Sequence, residues 1–327
     1  MDISVIVVTY NQESTIGRTL DSILSQQTEA EYEIIVGDDC SADGTEAICR
    51  RYAEKYPDKI RYFRRSANMG VVGNYFDCIA QARGRYLADC AGDDYWVDPR
   101  KLQKQFEVLE SNPDVTLVAT RWLQFDVDTG KTSQAKNEAP AGEYAGKDLL
   151  LPIITGEIWI HLCTALFRRD VILKAIEQNR GFFDDPDFSC EDQQILLICA
   201  NSGEIIILPD VTLYYSIGHE SISHKKEFKN KLSYSFKAFS QSLTLQKKFL
   251  SIIDEEESKQ LDEYNDRMKA YLVALSFRCG PGVLKKDSIV SNLKFKNISL
   301  KTRLYQIIMK NELLWKSTLA LRNLFPG

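Results

Sequence analysis

The run Tyr86-Leu87-Ala88-Asp89-Cys90-Ala91-Gly92-Asp93-Asp94-Tyr95-Trp96 reads as an apolar strand that ends in a glycine and an acidic pair. Mg²⁺-type cations take few protein carboxylates and complete their shell with phosphate oxygens and water. An aspartate pair at a strand end therefore suits a hydrated divalent cation carrying a substrate diphosphate. Outward from this run, the first hundred residues alternate strand and helix signals. Residues 3–9 are apolar and β-branched, and Asn11 is expected to cap the helix in which Ile16, Leu20, Ile23 and Leu24 recur at helical spacing. Residues 32–36 read as a second strand, Asp43-Gly44 opens a helix stopped by Pro57, residues 60–63 form a third strand, and residues 72–82 a helix closed by Gly84. Such βαβαβ alternation predicts a parallel sheet covered on both faces, with ligands at the carboxyl ends of its strands. Asp38-Asp39 and Asp93-Asp94 fall at two of those ends.

Further along, a helix carries Leu102, Phe106 and Leu109, residues 115–125 read as a strand, and Asp128-Thr129-Gly130 as a turn. The polar, Gly/Ala/Pro-containing residues 130–147 are expected to be a mobile loop. A strand over 158–167, a helix after Arg168, a helix over 192–201 and strands over 204–208 and 211–216 complete a domain assigned to residues 1–224. Residues 225–327 read as helical, broken by Gly280-Pro281-Gly282.

With 327 residues, 44% hydrophobic and 27% charged, the composition is that of an ordinary soluble protein with room for a sizeable core. The net charge of −5 argues against a general nucleic-acid binder. It hides an asymmetry: residues 285–327 hold nine Lys/Arg against two Asp/Glu, a net +7 that leaves −12 for the remainder. Eight scattered cysteines without a Cys-x-x-Cys signal neither a zinc site nor a disulfide framework. Met1-Asp2 leads straight into the first strand, and no apolar stretch approaches the roughly 18 residues of a membrane span, so a cytoplasmic protein is expected.

Three segments carry a resemblance: Ser4-Val5-Ile6-Val7-Val8-Thr9-Tyr10-Asn11, Ile34-Ile35-Val36-Gly37-Asp38-Asp39-Cys40-Ser41-Ala42-Asp43-Gly44-Thr45, and Gly92-Asp93-Asp94-Tyr95-Trp96. In this order at strand ends, they resemble family 2 glycosyltransferases over roughly residues 1–220. The resemblance implies an α/β, GT-A type, Rossmann-like, mostly parallel sheet flanked by helices, here with a helical C-terminal appendage. It also implies a nucleotide-diphospho-sugar donor, expected to be a UDP-sugar, a Mn²⁺ or Mg²⁺ cofactor, and inverting transfer of a hexosyl or N-acetylhexosaminyl group. The acceptor would be a hydroxyl of a glycan or lipid-linked glycan in polysaccharide, lipopolysaccharide or other glycan assembly.

Residue by residue, Thr9, Tyr10, Asn11, Asp38 and Asp39 match the nucleotide-binding positions, Asp39 being the one that faces the base. A carboxylate acceptor suits the imide N–H of uracil, although the same residues would serve as an Asx turn into a helix. Asn68 and Gly70, followed by Asn74, resemble the polar border of the nucleotide pocket, or else a helix cap and a turn. Asp93 matches both the metal-binding and the nucleotide-binding position, and His219 a histidine that helps hold the metal-diphosphate. The pattern departs from the family at Ala91, where an acid is usual, so one carboxylate is lost. Asp192, with Glu191 beside it, matches the general base, and a neighbouring acid would raise its pKa by like-charge repulsion. Ser189-Cys190-Glu191-Asp192 would also serve as a capping box. Trp96 next to the acids is a candidate sugar-stacking wall and His161 a candidate lining of the acceptor pocket; both could equally be core.

Two rivals follow. Ala91 makes a catalytically weakened nucleotide-sugar-binding module or scaffold a real alternative. A dinucleotide oxidoreductase is disfavoured, because no Gly-x-Gly-x-x-Gly follows the first strand. The basic, Leu-rich tail suits either a helix on an anionic inner membrane face or packing against the catalytic domain or a second copy of the chain.

Overall fold

Side chains branched at Cβ favour the extended backbone, and Ile3–Thr9 (β1), buried along almost its whole length, is an inner strand of the sheet. The structure, a computed structural model, describes residues 1–179, 181–183, 185, 188–218, 227–251, 253–279, 299–308 and 314–318. The chain divides into two compact units, Met1–His219 and Glu220–Gly327.

In the first unit β1 is followed by Ile16–Leu24 (α1), Tyr32–Asp38 (β2), Thr45–Lys55 (α2), Ile60–Arg64 (β3), Gly70–Gln81 (α3), Tyr86–Asp89 (β4) and Tyr95–Trp96 (β5). Then come Lys101–Ser111 (α4), Val115–Asp126 (β6), Thr132–Ser133 (β7), Gly142–Ala145 (β8) and Leu150–Thr155 (α5). Leu166–Arg168 (β9), Arg169–Gln178 (α6), Asp192–Ser202 (α7) and Glu204–Ile217 (β10) complete it. The sheet runs β3-β2-β1-β4-β9-β6-β10-β5. It is parallel through β3-β2-β1-β4 and again between β6 and β10, while β9 lies antiparallel to both β4 and β6. Burying α1 through Ile16, Leu20 and Ile23 against Ile3, Val5, Val7, Ile34 and Val36 builds one face of the core. Each such side chain contributes about 1.5–3 kcal/mol.

Several elements differ from the sequence reading. Asn11 does not cap α1: the N-cap is Thr15, and Asn11 sits at φ 53° in the left-handed region that asparagine tolerates better than most residues. Residues 130–147 are not a free loop. Part of them, β8, pairs along β10, and the Glu138 carboxylate takes hydrogen bonds from Arg121 and the Trp122 N–H. The strand expected over 158–167 is broken, because His161 accepts from the Cys163 N–H and caps a 3₁₀ turn over Leu162–Thr164. The two strands read from 204 to 216 are one, with its register shifted around Pro209, which has no N–H for the ladder.

The amino ends of the strands are tied by a buried polar network. Glu33, 2% exposed, accepts from Ser4 Oγ, Arg83 N and Arg61 Nη1, while Ser4 Oγ accepts from the Arg83 and Gly84 N–H groups. Gly84 permits this: a Cβ there would lie 2.4 Å from Ser4 N and 2.6 Å from Ile3 C.

In the second unit Phe228–Phe249 (α8) packs on Glu255–Cys279 (α9) through Leu232, Phe239, Leu272 and Leu275. Leu300–Ile308 (α10) joins them by stacking Tyr305 on Phe277, with ring centres 4.4 Å apart.

Gly84→Ala should cost about 1–3 kcal/mol, the usual range for forced overpacking, read as a lower urea midpoint. An unchanged midpoint would mean that the turn can move away from β1.

Candidate active site

At the carboxyl ends of β1 and β2 two residues other than glycine adopt positive φ, Asn11 at 53° and Cys40 at 65°. The loops they shape interlock: Asn11 N donates to Ser41 Oγ, and Asn11 Oδ1 accepts from Ala42 N. Thr9 Oγ1 donates to Gln12 Oε1 at 2.7 Å. Asp38 is fully buried. Its carboxylate accepts from Ser41 N, Ser41 Oγ and Tyr62 Oη at 2.9, 2.5 and 2.7 Å. Asp38 therefore anchors the loop from a fully buried position, with Oδ1 taking two of these bonds and Oδ2 one.

Asp39 differs, because its Oδ1 and Oδ2 accept from the N–H groups of Met69 (2.7 Å) and Gly70 (3.0 Å), one bond each. Each oxygen keeps a further lone pair. Burial pushes this carboxyl up, against the two N–H groups that pull it down. Gly70, at φ 80°, shapes the turn, and Asn68 Oδ1 also accepts from its N–H. Asn74 ties α3 to this strand end by donating to the Gly37 carbonyl. Tyr10 and Met69, each 47% exposed, are large apolar groups at this rim.

The acid loop after β4 is held by one face of α1. Thr15 Oγ1 donates to the Gly92 carbonyl at 2.9 Å, Arg18 Nη2 to that of Asp93 at 3.2 Å, and Thr19 Oγ1 to that of Asp94 at 2.6 Å. Residues 15, 18 and 19 share a helix face, so three successive carbonyls meet three successive donors. Gly92 fits closely, since a Cβ there would lie 2.3 Å from Gln12 Oε1. The Asp93 side chain is half-buried beyond it. Asp94 turns inward, 1% exposed, accepting from Ser216 N.

Ligand atoms of Asp94, His161 and Cys163 lie within 4.8 Å of one another. His161 Nδ1 accepts from a backbone N–H and so carries no proton, which leaves the ring proton on Nε2, 3.9 Å from Asp94 Oδ2. Burial keeps the ring neutral, its pKa pulled down to about 4. A soft cation would need that proton removed. The trio is arranged as a buried polar group rather than as a ready metal site.

The acceptor-facing roles read for Trp96 and His161 are not met, since both are buried, at 4% and 6% exposure. The Trp96 indole donates to the Cys163 carbonyl and lies against Lys101 Nζ, while His161 packs among Trp122, Trp159 and Tyr215.

Glu191 is the N-cap of α7, yet its side chain makes no capping bond, so the capping-box reading does not hold. It is 8% exposed with Oε2 unpartnered; burial, then the charges of Asp192 and Asp89, push its carboxyl well up. Asp192, half-buried, is raised to about 6, by burial alone. Asp89, 3% exposed and pushed to about 8 chiefly by burial, feels Tyr75, Asp192 and Lys101. Lys101, wholly buried, is pulled down to about 7 by burial and donates to Gln105.

Residues 4–174, more than half of the chain, match Glycosyl transferase family 2. The chain belongs to that family. Uncharacterized protein Rv1520 of Mycobacterium tuberculosis is 32% identical over 230 residues, which are 69% of this chain and 63% of that protein. The chain thus spans less than two thirds of that relative. Among solved structures, S. aureus TarS 1-349 in complex with UDP-GlcNAc superposes with a TM-score of 0.55 at 17% identity, over 98% of this chain and 92% of that one. The mannosyltransferase PcManGT of Pyrobaculum calidifontis, in complex with GDP-Man and Mn²⁺, gives 0.54 at 18% identity, over 99% and 87%. Both likenesses show the shared GT-A fold.

In this family 2 chain the strand ends bring Thr9, Tyr10, Asn11, Asp39, Asn68, Gly70 and Asp93 to one edge of the sheet, with Asp192 coupled electrostatically to Asp89 at the end of β4. His219 lies outside the described residues. Sequence reasoning missed Arg18, Asp89 and Lys101. A Thr15-x-x-Arg18-Thr19 spacing opposite Ile16, Leu20 and Ile23, and a lone acid inside an apolar strand, were the available signs.

Asp39→Asn keeps the volume but sets an NH₂ group against the N–H of Met69 or Gly70 in either amide orientation. We expect a stability loss of about 1–3 kcal/mol in urea denaturation. No loss would mean that the loop re-forms without the carboxylate.

Proposed function

We propose that the chain is an inverting glycosyltransferase that moves a hexosyl or N-acetylhexosaminyl group from a nucleotide-diphospho-sugar, a UDP-sugar first among them, to an acceptor hydroxyl in polysaccharide, lipopolysaccharide or another glycan. One observation carries the reading: Asp192, raised to about 6, is ionised at neutral pH, while burial and the charge of Asp192 push Glu191 beside it toward its neutral form. One ionised carboxylate next to a neutral one is what single-displacement transfer needs from its base.

In this mechanism Tyr10, Asn11, Asn68 and Gly70 border the nucleotide, and the remaining lone pairs of Asp39 accept a base N–H. Asp192 takes the acceptor's proton as its oxygen attacks the anomeric carbon opposite the departing diphosphate. The half-buried Asp93, on a loop with no room for a side chain at Gly92, fits a Mn²⁺ or Mg²⁺ ion that completes its shell with phosphate and water. His219 is proposed as a second ligand. When bound, the cation would neutralise charge gathering on the leaving diphosphate. Ala91 favours a second reading, a weakened binding module, which would bind nucleotide sugar without turnover.

The second unit, proposed to span residues 225–327, supplies attachment. On α10, Leu300, Leu304 and Ile307 are 74%, 47% and 54% exposed at i, i+4, i+7 spacing, beside Lys301 and Arg303. We assign this face to an anionic membrane surface, which would place a lipid-linked acceptor within reach of a cytoplasmic enzyme; self-association is the other use of such a face. Among the described residues no helix is long and apolar enough to cross a membrane.

Two outcomes follow. With a panel of nucleotide sugars and Mn²⁺, turnover should rise through about pH 6 and level off above it. Asp192→Asn should lower kcat by about 10²–10⁴-fold and remove that limb while leaving nucleotide affinity intact; a variant retaining a tenth of the rate would place the base elsewhere. Full-length protein should co-sediment with anionic vesicles in a salt-sensitive way, and Leu304→Glu should weaken this. Concentration-dependent dimerisation lost in the same variant would favour self-association.

A further inference from the structure

Arg18 rises from the first turn of α1 onto the acid loop, and the mechanism above gives it no part. Its Nη2 donates to the Asp93 carbonyl at 3.2 Å and to Ser216 Oγ at 3.1 Å, and the guanidinium carbon stands 4.0 Å from the centre of the Tyr95 ring. Among the described residues no carboxylate pairs with it, and Nε is buried without a hydrogen-bond partner. A half-buried cation whose hydrogen bonds all go to neutral oxygens has lost hydration without gaining a paired carboxylate in exchange. Such a group is stable where an anion completes it.

Three features name the anion. Arg18 belongs to the first turn of α1, the positive end of a helix dipole, and its guanidinium reaches the backbone of Asp93 at the carboxyl edge of the sheet. Its planar fork suits phosphate oxygens better than a lysine would, and the Tyr95 ring and the Asp93 carbonyl hold it in place before any ligand arrives. The same loop has Ala91, so no carboxylate there competes for it.

We infer that Arg18 binds the diphosphate of the donor as a fixed cation, sharing the charge neutralisation that would otherwise fall to a divalent metal held by Asp93 alone. This rests on the nucleotide-diphospho-sugar reading above. It implies that donor binding in this chain depends only partly on metal.

The test is titration calorimetry of the wild type, Arg18→Gln and Arg18→Lys with UDP, GDP and the parent nucleosides, in Mn²⁺ and in EDTA, with ligand-observed NMR for the weak nucleosides. The wild type should hold its preferred nucleoside diphosphate in EDTA within about tenfold of its affinity in Mn²⁺. Arg18→Gln should lose about tenfold or more for the diphosphate in EDTA, the scale of one charge-assisted bond, less in Mn²⁺, and nothing for the nucleoside. Arg18→Lys should fall between the two. Equal losses for nucleoside and diphosphate would make Arg18 a merely structural clamp and overturn the inference. So would an unchanged diphosphate affinity in Arg18→Gln, or a wild type that needs Mn²⁺ for any diphosphate binding. A wild type that binds neither UDP nor GDP with Mn²⁺ would instead reject the donor reading beneath it.

Discussion

The site depends on one attachment, the three hydrogen bonds by which Thr15, Arg18 and Thr19 take the carbonyls of Gly92, Asp93 and Asp94. The other face of the same helix buries Ile16, Leu20 and Ile23 against β1 and β2. A loop that could wander is thereby referenced to the best-packed part of the molecule. Because backbone carbonyls carry the attachment, the position of Asp93 is set without its carboxylate being the anchor. Parallel pairing of β1 with both β2 and β4 then brings the loop that carries Asp39 and the loop that carries Asp93 to neighbouring strand ends.

Burial sorts the acids of this edge into different kinds of work. Asp38 is sealed from solvent and bonded to Ser41 and Tyr62, so it ties the loop to β3, whereas its neighbour Asp39 is bonded once per oxygen to the Met69 and Gly70 N–H groups. Asp94 faces inward to Ser216 and His161 while Asp93 faces outward. Asp89 and Glu191, each with a buried oxygen that has no partner, are driven toward their neutral forms, and Asp192 is left as the ionised member of the group. An uncompensated charge away from water is costly, so a crowded set of carboxyls separates into neutral and charged members according to solvent access.

The opposite edge of the sheet is built for rigidity. Glu33 is buried but fully bonded by Ser4, Arg61 and Arg83, and Gly84 lets the chain lie directly on β1. Buried polar groups with every partner in place stiffen a structure, and those lacking partners mark where something is still to bind or ionise. At the amino edge Ser4 and Glu33 show the first condition, and at the carboxyl edge Arg18, Asp89 and Glu191 show the second.

Much of this was legible in the chain itself. The β-branched runs, the helical recurrence of Ile16, Leu20 and Ile23, and the punctuation by Asp-Gly and Pro are local signals, and they determined the order of strands and helices through residue 111, apart from the two-residue strand β5, whose pairing with β10 is a distant contact. That Asp39 and Asp93 stand just past strand ends and Asp192 at the start of a helix was also readable, because motif spacing survives in one dimension. What only the tertiary structure decided was which way each polar side chain turns. Trp96 and His161 look like sugar contacts in sequence and are buried in space, Asn11 looks like a cap and is a left-handed corner, and Arg18, which no motif marks, lies on the acid loop. The physical reason is common to all of them: a side chain's role depends on its exposure and its partners, and most of those partners lie far away along the chain, beyond what any local pattern records.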